Sequence, residues 1–207
     1  VVIRELKPSQ RVSGRWLAAL EDGSLLRVGE HEVVAFSLYA GKELTEEEAE
    51  ALLASARRNG WKEKALDLLA RKPMSRRELE RKLEGWEADQ EERTAICDRL
   101  EELGYLNDAA YAARVVRHYA AKGFGEKKLR DELYRRGVPR ELWEDALRQD
   151  LDASGTLDAL VAKKLAGKLL DRKELQKVSN ALARRGYAWS EINDALRRYG
   201  AETGEWD

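Results

Sequence analysis

Apolar positions recur along most of this chain at three- and four-residue spacing, and one stretch of that pattern is written twice, 49 residues apart. Leu129, Leu133, Gly137, Ala146 and Leu147 return as Val178, Leu182, Gly186, Ala195 and Leu196. Within that register DELYRRGV (131–138) returns as NALARRGY (180–187), so Arg135-Arg136-Gly137 matches Arg184-Arg185-Gly186. A shorter copy lies upstream at Leu79, Leu83, Gly85, Ala95, Ile96 and Leu100. Self-similarity at a fixed period marks an array of one supersecondary unit. Arrays present long surfaces and seldom enclose a deep pocket, which leans toward binding.

From residue 62 on, the pattern predicts helices only, three to a unit. Unit one (62–106) carries helices over 63–70, 76–83 and 89–103, the second opened by the capping box Ser75-to-Glu78 and the last closed by Gly104. Unit two (107–152) carries helices over 109–121, 126–136 and 139–149, with Gly137 as a stop and Pro139 in a first turn. Unit three (153–200) carries helices over 157–170, 173–185 and 189–199. Asp152-Ala153-Ser154-Gly155 reads as a hinge, and 201–207 as a frayed tail. Three helices in about 45 residues lie near the lower limit of independent stability, so neighbouring units are expected to share apolar surface or to pack tightly. Trp86, Tyr105, Tyr111, Trp143, Tyr187 and Trp189 fall at helix ends and unit junctions, where packing is the main expectation and base stacking the alternative.

Residues 1–60 follow a different pattern. Trp16–Leu20 and Leu25–Val28 flank Glu21-Asp22-Gly23-Ser24, and Asp-Gly suits the positive φ angles of a hairpin turn. Val1 and Ile3 supply a further strand. So few strands need a helix to pack on. A short helix over 31–39 closes at Gly41. A second starts at the capping box Thr45-to-Glu48 and ends near Asn59-Gly60, or bends there into 61–70. The fold class expected is therefore mainly α, with three tandem three-helix units behind a small β-hairpin and helix domain.

Composition narrows the function classes. A chain 43% hydrophobic and 37% charged folds and is not disordered. No run approaches the ~18 apolar residues of a membrane span, and VVIRELKPSQ carries no secretory signal, so a cytoplasmic protein is expected. No Met opens the chain, and a few residues are expected ahead of Val1. Cys97 is the single cysteine and sits at helical spacing between Ile96 and Leu100, as a packed thiol would. Gly123-Phe124-Gly125 is too short for a phosphate loop and follows a helix rather than a strand. His31 and His118 have no Cys or His companion at ligand spacing, and no serine has a nucleophile-elbow setting. No enzyme activity, cofactor or metal is expected.

Net charge is only −1, but its distribution is uneven. Residues 110–140 hold nine Lys and Arg against three acids, and 160–190 hold eight against two. Local charge sets the field that an anionic partner meets. The candidate basic face comprises Arg114, Arg117, Lys122, Lys127, Lys128, Arg130, Arg135 and Arg136 in unit two, echoed by Lys173, Lys177, Arg184 and Arg185 in unit three, with Lys163, Lys164 and Lys168 extending it. Cations at helix C-termini also serve the helix dipole, so capping and solubility are the competing reading. A repeated basic face suits a repeating anion, either a phosphate backbone or the acidic surface of a filament.

Four stretches carry a resemblance to a known family. They are ALDLLARKPMSRRELERKL (65–83), LEELGYLNDAAYAARVVR (100–117), GFGEKKLRDELYRRGVPRELWEDAL (123–147), and AKKLAGK (162–168) leading to ALARRGYAWSEINDAL (181–196). In this order they resemble the bacterial RecX regulatory proteins over residues 62–199. The N-terminal hairpin and KELTEEEAEALL (42–53) are similar to an extension found in members from Gram-positive lineages. The resemblance implies three three-helix units in an elongated, curved body. It implies a non-enzymatic modulator that binds the RecA recombinase filament on single-stranded DNA and suppresses its growth, ATP hydrolysis, recombination and co-protease activities. A monomer is expected, since an array needs no partner to be complete. The rival reading is an autonomous, sequence-nonspecific binder of single- or double-stranded DNA, and weak DNA contact is compatible with both.

Overall fold

The computed structural model describes residues 1–149 and 153–200. Strands β1 (Ile3–Pro8), β2 (Arg15–Leu20) and β3 (Leu25–Gly29) form an antiparallel sheet in chain order. The β2–β3 turn is the expected one: Gly23 takes φ +83°, and the Leu20 amide donates to the Ser24 carbonyl at 2.9 Å. Ile3, Ala18 and Val28 point inward and share a core with Leu52 and Ala56 of helix α2. Helix α1 (Glu30–Ala35) is shorter than expected, and Ser37 at φ 48° turns the chain soon after it. Helix α2 (Glu46–Arg71) opens on the predicted capping box, with Thr45 Oγ1 accepting from the Glu48 amide at 3.1 Å and Glu48 accepting from the Thr45 amide at 3.0 Å.

α2 then runs on through Asn59-Gly60 to Arg71, so of the two outcomes expected there, an end or a continuation into 61–70, the helix takes the continuation. The reason is tertiary. The Asn59 amide donates to the buried Glu32 carboxylate, which also accepts from Ser55 Oγ at 2.7 Å and from the Gly29 amide at 2.9 Å. Two residues on, Trp61 is buried and its indole N–H donates to the Trp86 carbonyl at 3.1 Å. A glycine inside a helix costs about 1 kcal/mol. Burying an aromatic side chain outweighs that, at roughly 1.5–3 kcal/mol.

The fold divides into two compact units. One holds residues 1–72 and 82–99, the other residues 73–81 and the chain from Leu100 on. Helix α3 (Arg76–Glu84) therefore begins in one unit and ends in the other, ahead of α4 (Gln90–Glu102). Its capping box forms as predicted, with Ser75 Oγ accepting from the Glu78 amide at 3.1 Å. Cys97 is fully buried, in keeping with a packed thiol.

In the second unit, α5 (Asp108–Ala120) and α6 (Glu126–Arg135) pack with α7 (Trp143–Leu147) around Tyr111, Val115, Val116, Leu129, Leu133 and Trp143. The helix expected over 139–149 is instead a 3-10 turn at Arg140–Leu142 followed by α7. That tighter start lets the Trp143 indole donate back to the Val138 carbonyl at 2.9 Å. Helices α8 (Ala153–Leu165), α9 (Arg172–Arg184) and α10 (Trp189–Arg198) close over Leu157, Val161, Leu175, Val178, Leu182, Ile192 and Leu196. α8 stops five residues short of the expected Leu170 because Gly167 takes φ +70°, leaving Leu169 and Leu170 exposed. Asp152 of the expected hinge lies outside the described residues, as does the tail from Ala201; Ala153–Gly155 form the first turn of α8.

Candidate basic interface

The duplicated Arg-Arg-Gly ends the middle helices α6 and α9, and it builds the same joint twice. Arg136 and Arg185 are the C-cap residues, followed by Gly137 at φ +67° and Gly186 at φ +92°. The Arg136 carbonyl accepts a hydrogen bond from Ser75 Oγ, the residue before α3. The Arg185 carbonyl accepts from the amide of Gly125, the residue before α6, at 2.9 Å. Ser75 and Gly125 thus hold the same place in successive repeats. The three glycines leave no room for side chains. A Cβ on Gly137 would lie 2.6 Å from Arg77 Cβ, one on Gly125 2.5 Å from the Tyr187 amide nitrogen, and one on Gly186 2.6 Å from the Lys128 amide nitrogen.

The two arginines of each pair have different work. The second turns inward. Arg136 donates to the Tyr111 hydroxyl at 2.8 Å and the Tyr119 hydroxyl at 3.3 Å, lies over the Tyr119 ring, and faces Glu78 at 3.7 Å and Glu132 at 3.6 Å. Arg185 donates to the Lys122 and Gly123 carbonyls at 3.0 and 3.1 Å and lies over the Phe124 ring. The first turns outward: Arg135 and Arg184 are exposed. Arg136 and Arg185, read from the sequence as surface cations, are therefore internal clamps. The sequence signal was their place directly before a glycine at a helix C-terminus, where a residue is fixed by the cap geometry.

Electrostatics around Arg136 follow from this packing. Burial opposes its charge, but the Tyr119 and Tyr111 hydroxyls outweigh burial and hold the guanidinium well above its ordinary value. Burial, reinforced by Glu78, pushes the Tyr111 phenol up to about 12. Burial would raise the Glu132 carboxyl, yet hydrogen bonds from Arg135 and Tyr119 and the nearby arginine charges leave it lowered from 4.5. A carboxyl depressed in the fold stabilises the fold above its unfolded value, and that contribution is lost as pH falls through the folded value. Glu132→Gln is therefore expected to flatten the acid limb of stability below about pH 4.5. Urea melts of parent and variant between pH 3 and 6 check it, and identical acid slopes would contradict it.

The remaining candidates separate by how well they are already neutralised. On α6, Arg130 pairs with Glu126 at 2.7 Å and Glu144 at 2.9 Å, Lys128 with Glu132 at 3.7 Å, and Arg135 with Glu132 at 2.6 Å. Lys168 and Lys177 share Glu174, at 3.3 and 3.7 Å. Lys122 lies over the Tyr119 ring. Arg114, Arg117, Lys127, Lys163, Lys164, Lys173 and Arg184 make no ion pair among the described residues. The structure brings Lys173, Lys177 and Arg184 together on one stripe of α9, with three residues outside the candidate face: Arg172, Gln176 and Asn180. The stripe lines a shallow depression of 740 Å³. Its signal was the spacing 172, 176, 180, 184, one helix face read every fourth residue. Of the aromatic residues at unit junctions, Tyr111, Trp143 and Tyr187 are buried packing groups, whereas Tyr105 and Trp189 are exposed.

Among the described residues no three His, Cys, Asp or Glu side chains are placed to hold a metal ion, and no helix is long and apolar enough to cross a membrane.

Comparison with known proteins matches three family models in order: the first RecX three-helix domain over 62–100, the second over 107–147 and the third over 155–196. The regulatory protein RecX of Pseudomonas savastanoi pv. phaseolicola (strain 1448A / Race 6) is 37% identical over 140 residues, covering 67% of this chain and 90% of that protein. A crystal structure of a regulatory protein RecX superposes with a TM-score of 0.73 at 24% identity, covering 93% of this chain and 98% of that one. The crystal structure of RecX from Lactobacillus salivarius superposes with a TM-score of 0.61 at 22% identity, covering 70% and 97%.

Proposed function

The chain belongs to the RecX family of regulatory proteins, and from that premise we propose that it binds the RecA recombinase filament on single-stranded DNA and restrains its growth, ATP hydrolysis, recombination and co-protease activity. The observation that carries this reading is the three-domain array with one glycine joint built twice. Repeats joined in one way present their surfaces at regular intervals, as a polymer of identical subunits requires. Tethered contacts reinforce one another, so each one can be weak. The protein acts without catalysis of its own, as a monomer, in the cytoplasm where RecA and DNA are.

The α9 stripe is the contact we assign to it. Lys173 and Arg184 carry no internal ion pair, whereas the α6 cations are mostly neutralised. The triple variant K173E/K177E/R184E leaves the inward arginines untouched and is expected to weaken co-sedimentation with RecA filaments at least tenfold while keeping the parent's thermal midpoint. Unchanged co-sedimentation would move the contact elsewhere on the array.

A second reading is an autonomous, sequence-nonspecific nucleic-acid binder. Gln176 and Asn180, hydrogen-bonded to each other at 3.2 Å among the α9 cations, favour it. It predicts tight DNA binding without RecA and a steep loss of affinity with added salt.

A further inference from the structure

Residues 1–61 lie outside the three matched domains, and the outer face of their sheet is not an ordinary solvated face. In an antiparallel sheet with one wet side, that side normally alternates to polar residues. Here Leu17 sits between Lys7 on β1 and Arg27 on β3, directly opposite both across the strands. Leu25, on the same outer face, is 56% exposed. With the β1–β2 loop these residues line a cleft of 580 Å³. That size lies within the roughly 300–1,000 Å³ of ligand-binding clefts.

The charged side chains that line the cleft have one sign. Lys7, Arg11, Arg15 and Arg27 line it, and no acidic side chain does. Lys7 is paired by Glu5, next to it on the same face of β1, at 3.2 Å, and Arg15 by Glu63 of α2. Arg11 and Arg27 are exposed and make no ion pair among the described residues. Cations gathered around an apolar floor repel one another, and a carboxylate-bearing partner relieves that repulsion while covering the leucines. Nucleic acid fits less well. Single strands are held largely by stacking on aromatic rings, and no aromatic residue lines this cleft; Trp16 on β2 packs into the core instead.

We propose that this face docks an acidic peptide segment of a partner protein, its leucine-type side chains seated on Leu17 and Leu25 and its carboxylates meeting Arg11 and Arg27. The site is independent of the α9 stripe and of the RecA reading. The test uses the full chain and a fluorescein-labelled peptide of sequence Asp-Glu-Leu-Asp-Glu-Leu-Asp-Glu, followed by fluorescence anisotropy. The parent is expected to bind it, R11E/R27E to bind at least tenfold more weakly at an unchanged thermal midpoint, and a peptide with both leucines replaced by serine to bind at least fivefold more weakly. Binding that ignores R11E/R27E, or that is equal for the two peptides, overturns the proposal. So does a single-stranded oligonucleotide that binds more tightly than the peptide and loses that binding in R11E/R27E, which would make the cleft a nucleic-acid face.

Discussion

Gly125→Ala is expected to destabilise the unit that holds the second and third three-helix domains by about 2–5 kcal/mol, although alanine suits the backbone there. Gly125 has φ −82° and ψ 171°, an ordinary extended conformation, so the effect is not one of backbone strain. It comes from contact. The added Cβ would lie 2.5 Å from the Tyr187 amide nitrogen and 2.6 Å from the Gly186 carbonyl. Relieving such overpacking costs roughly 1–3 kcal/mol. Separation also weakens two backbone hydrogen bonds, Gly125 to Arg185 at 2.9 Å and Lys127 to Gly186 at 3.2 Å, each contributing about 0.5–1.5 kcal/mol. Urea denaturation measures the loss, and amide exchange at 125 and 127 locates it. Gly167→Ala is a useful contrast, since a Cβ at Gly167 meets nothing within 4 Å and only its φ of +70° is at issue. A stability loss for Gly125→Ala below 1 kcal/mol would contradict the joint.

The second large effect divides the two arginines of one dipeptide. Arg136→Ala is expected to cost about 3 kcal/mol, near the low end of what breaking a buried ion pair costs. It removes the donor to two tyrosine hydroxyls and leaves Glu132, 3% exposed, with fewer cations. The low end applies because Arg135 and Lys128 still face that carboxylate. Arg135→Ala, at a side chain 67% exposed, is expected to cost less than about 1 kcal/mol, as exposed pairs do. The same asymmetry is expected for Arg185→Ala against Arg184→Ala. Thermal unfolding of the four single variants decides it, and equal losses within either pair would contradict the inward and outward assignment. It follows that reversing all four arginines at once confounds folding with binding, which is why the α9 triple variant is the cleaner functional test.

Much of this fold was legible in the sequence because helical periodicity and capping are local. The register Leu129/Val178 and Leu133/Leu182 names buried positions in both copies, and the boxes at Thr45 and Ser75 start helices as written. What stayed open or failed was decided by distant residues. Asn59-Gly60 reads as a stop or a bend, and the choice falls to Glu32, 27 residues away, which holds Asn59 in a continuous helix. Conversely, Gly167 carried a stop signal that the apolar run through Leu170 obscured. Charge counting found the basic segments and could not sort them, because neutralisation depends on where Glu132 and Glu174 point. The repeat exposed the Arg-Arg-Gly motif, while its role as a joint rests on backbone approaches across some 60 residues.

The central claim is best tested by the single-strand-dependent ATPase of the RecA from the same organism, titrated with this protein below one molecule per RecA. Regulation through the filament predicts strong suppression by the parent and at least tenfold weaker suppression by K173E/K177E/R184E. An undiminished ATPase with filaments intact would contradict the account and leave the autonomous nucleic-acid binder as the better description.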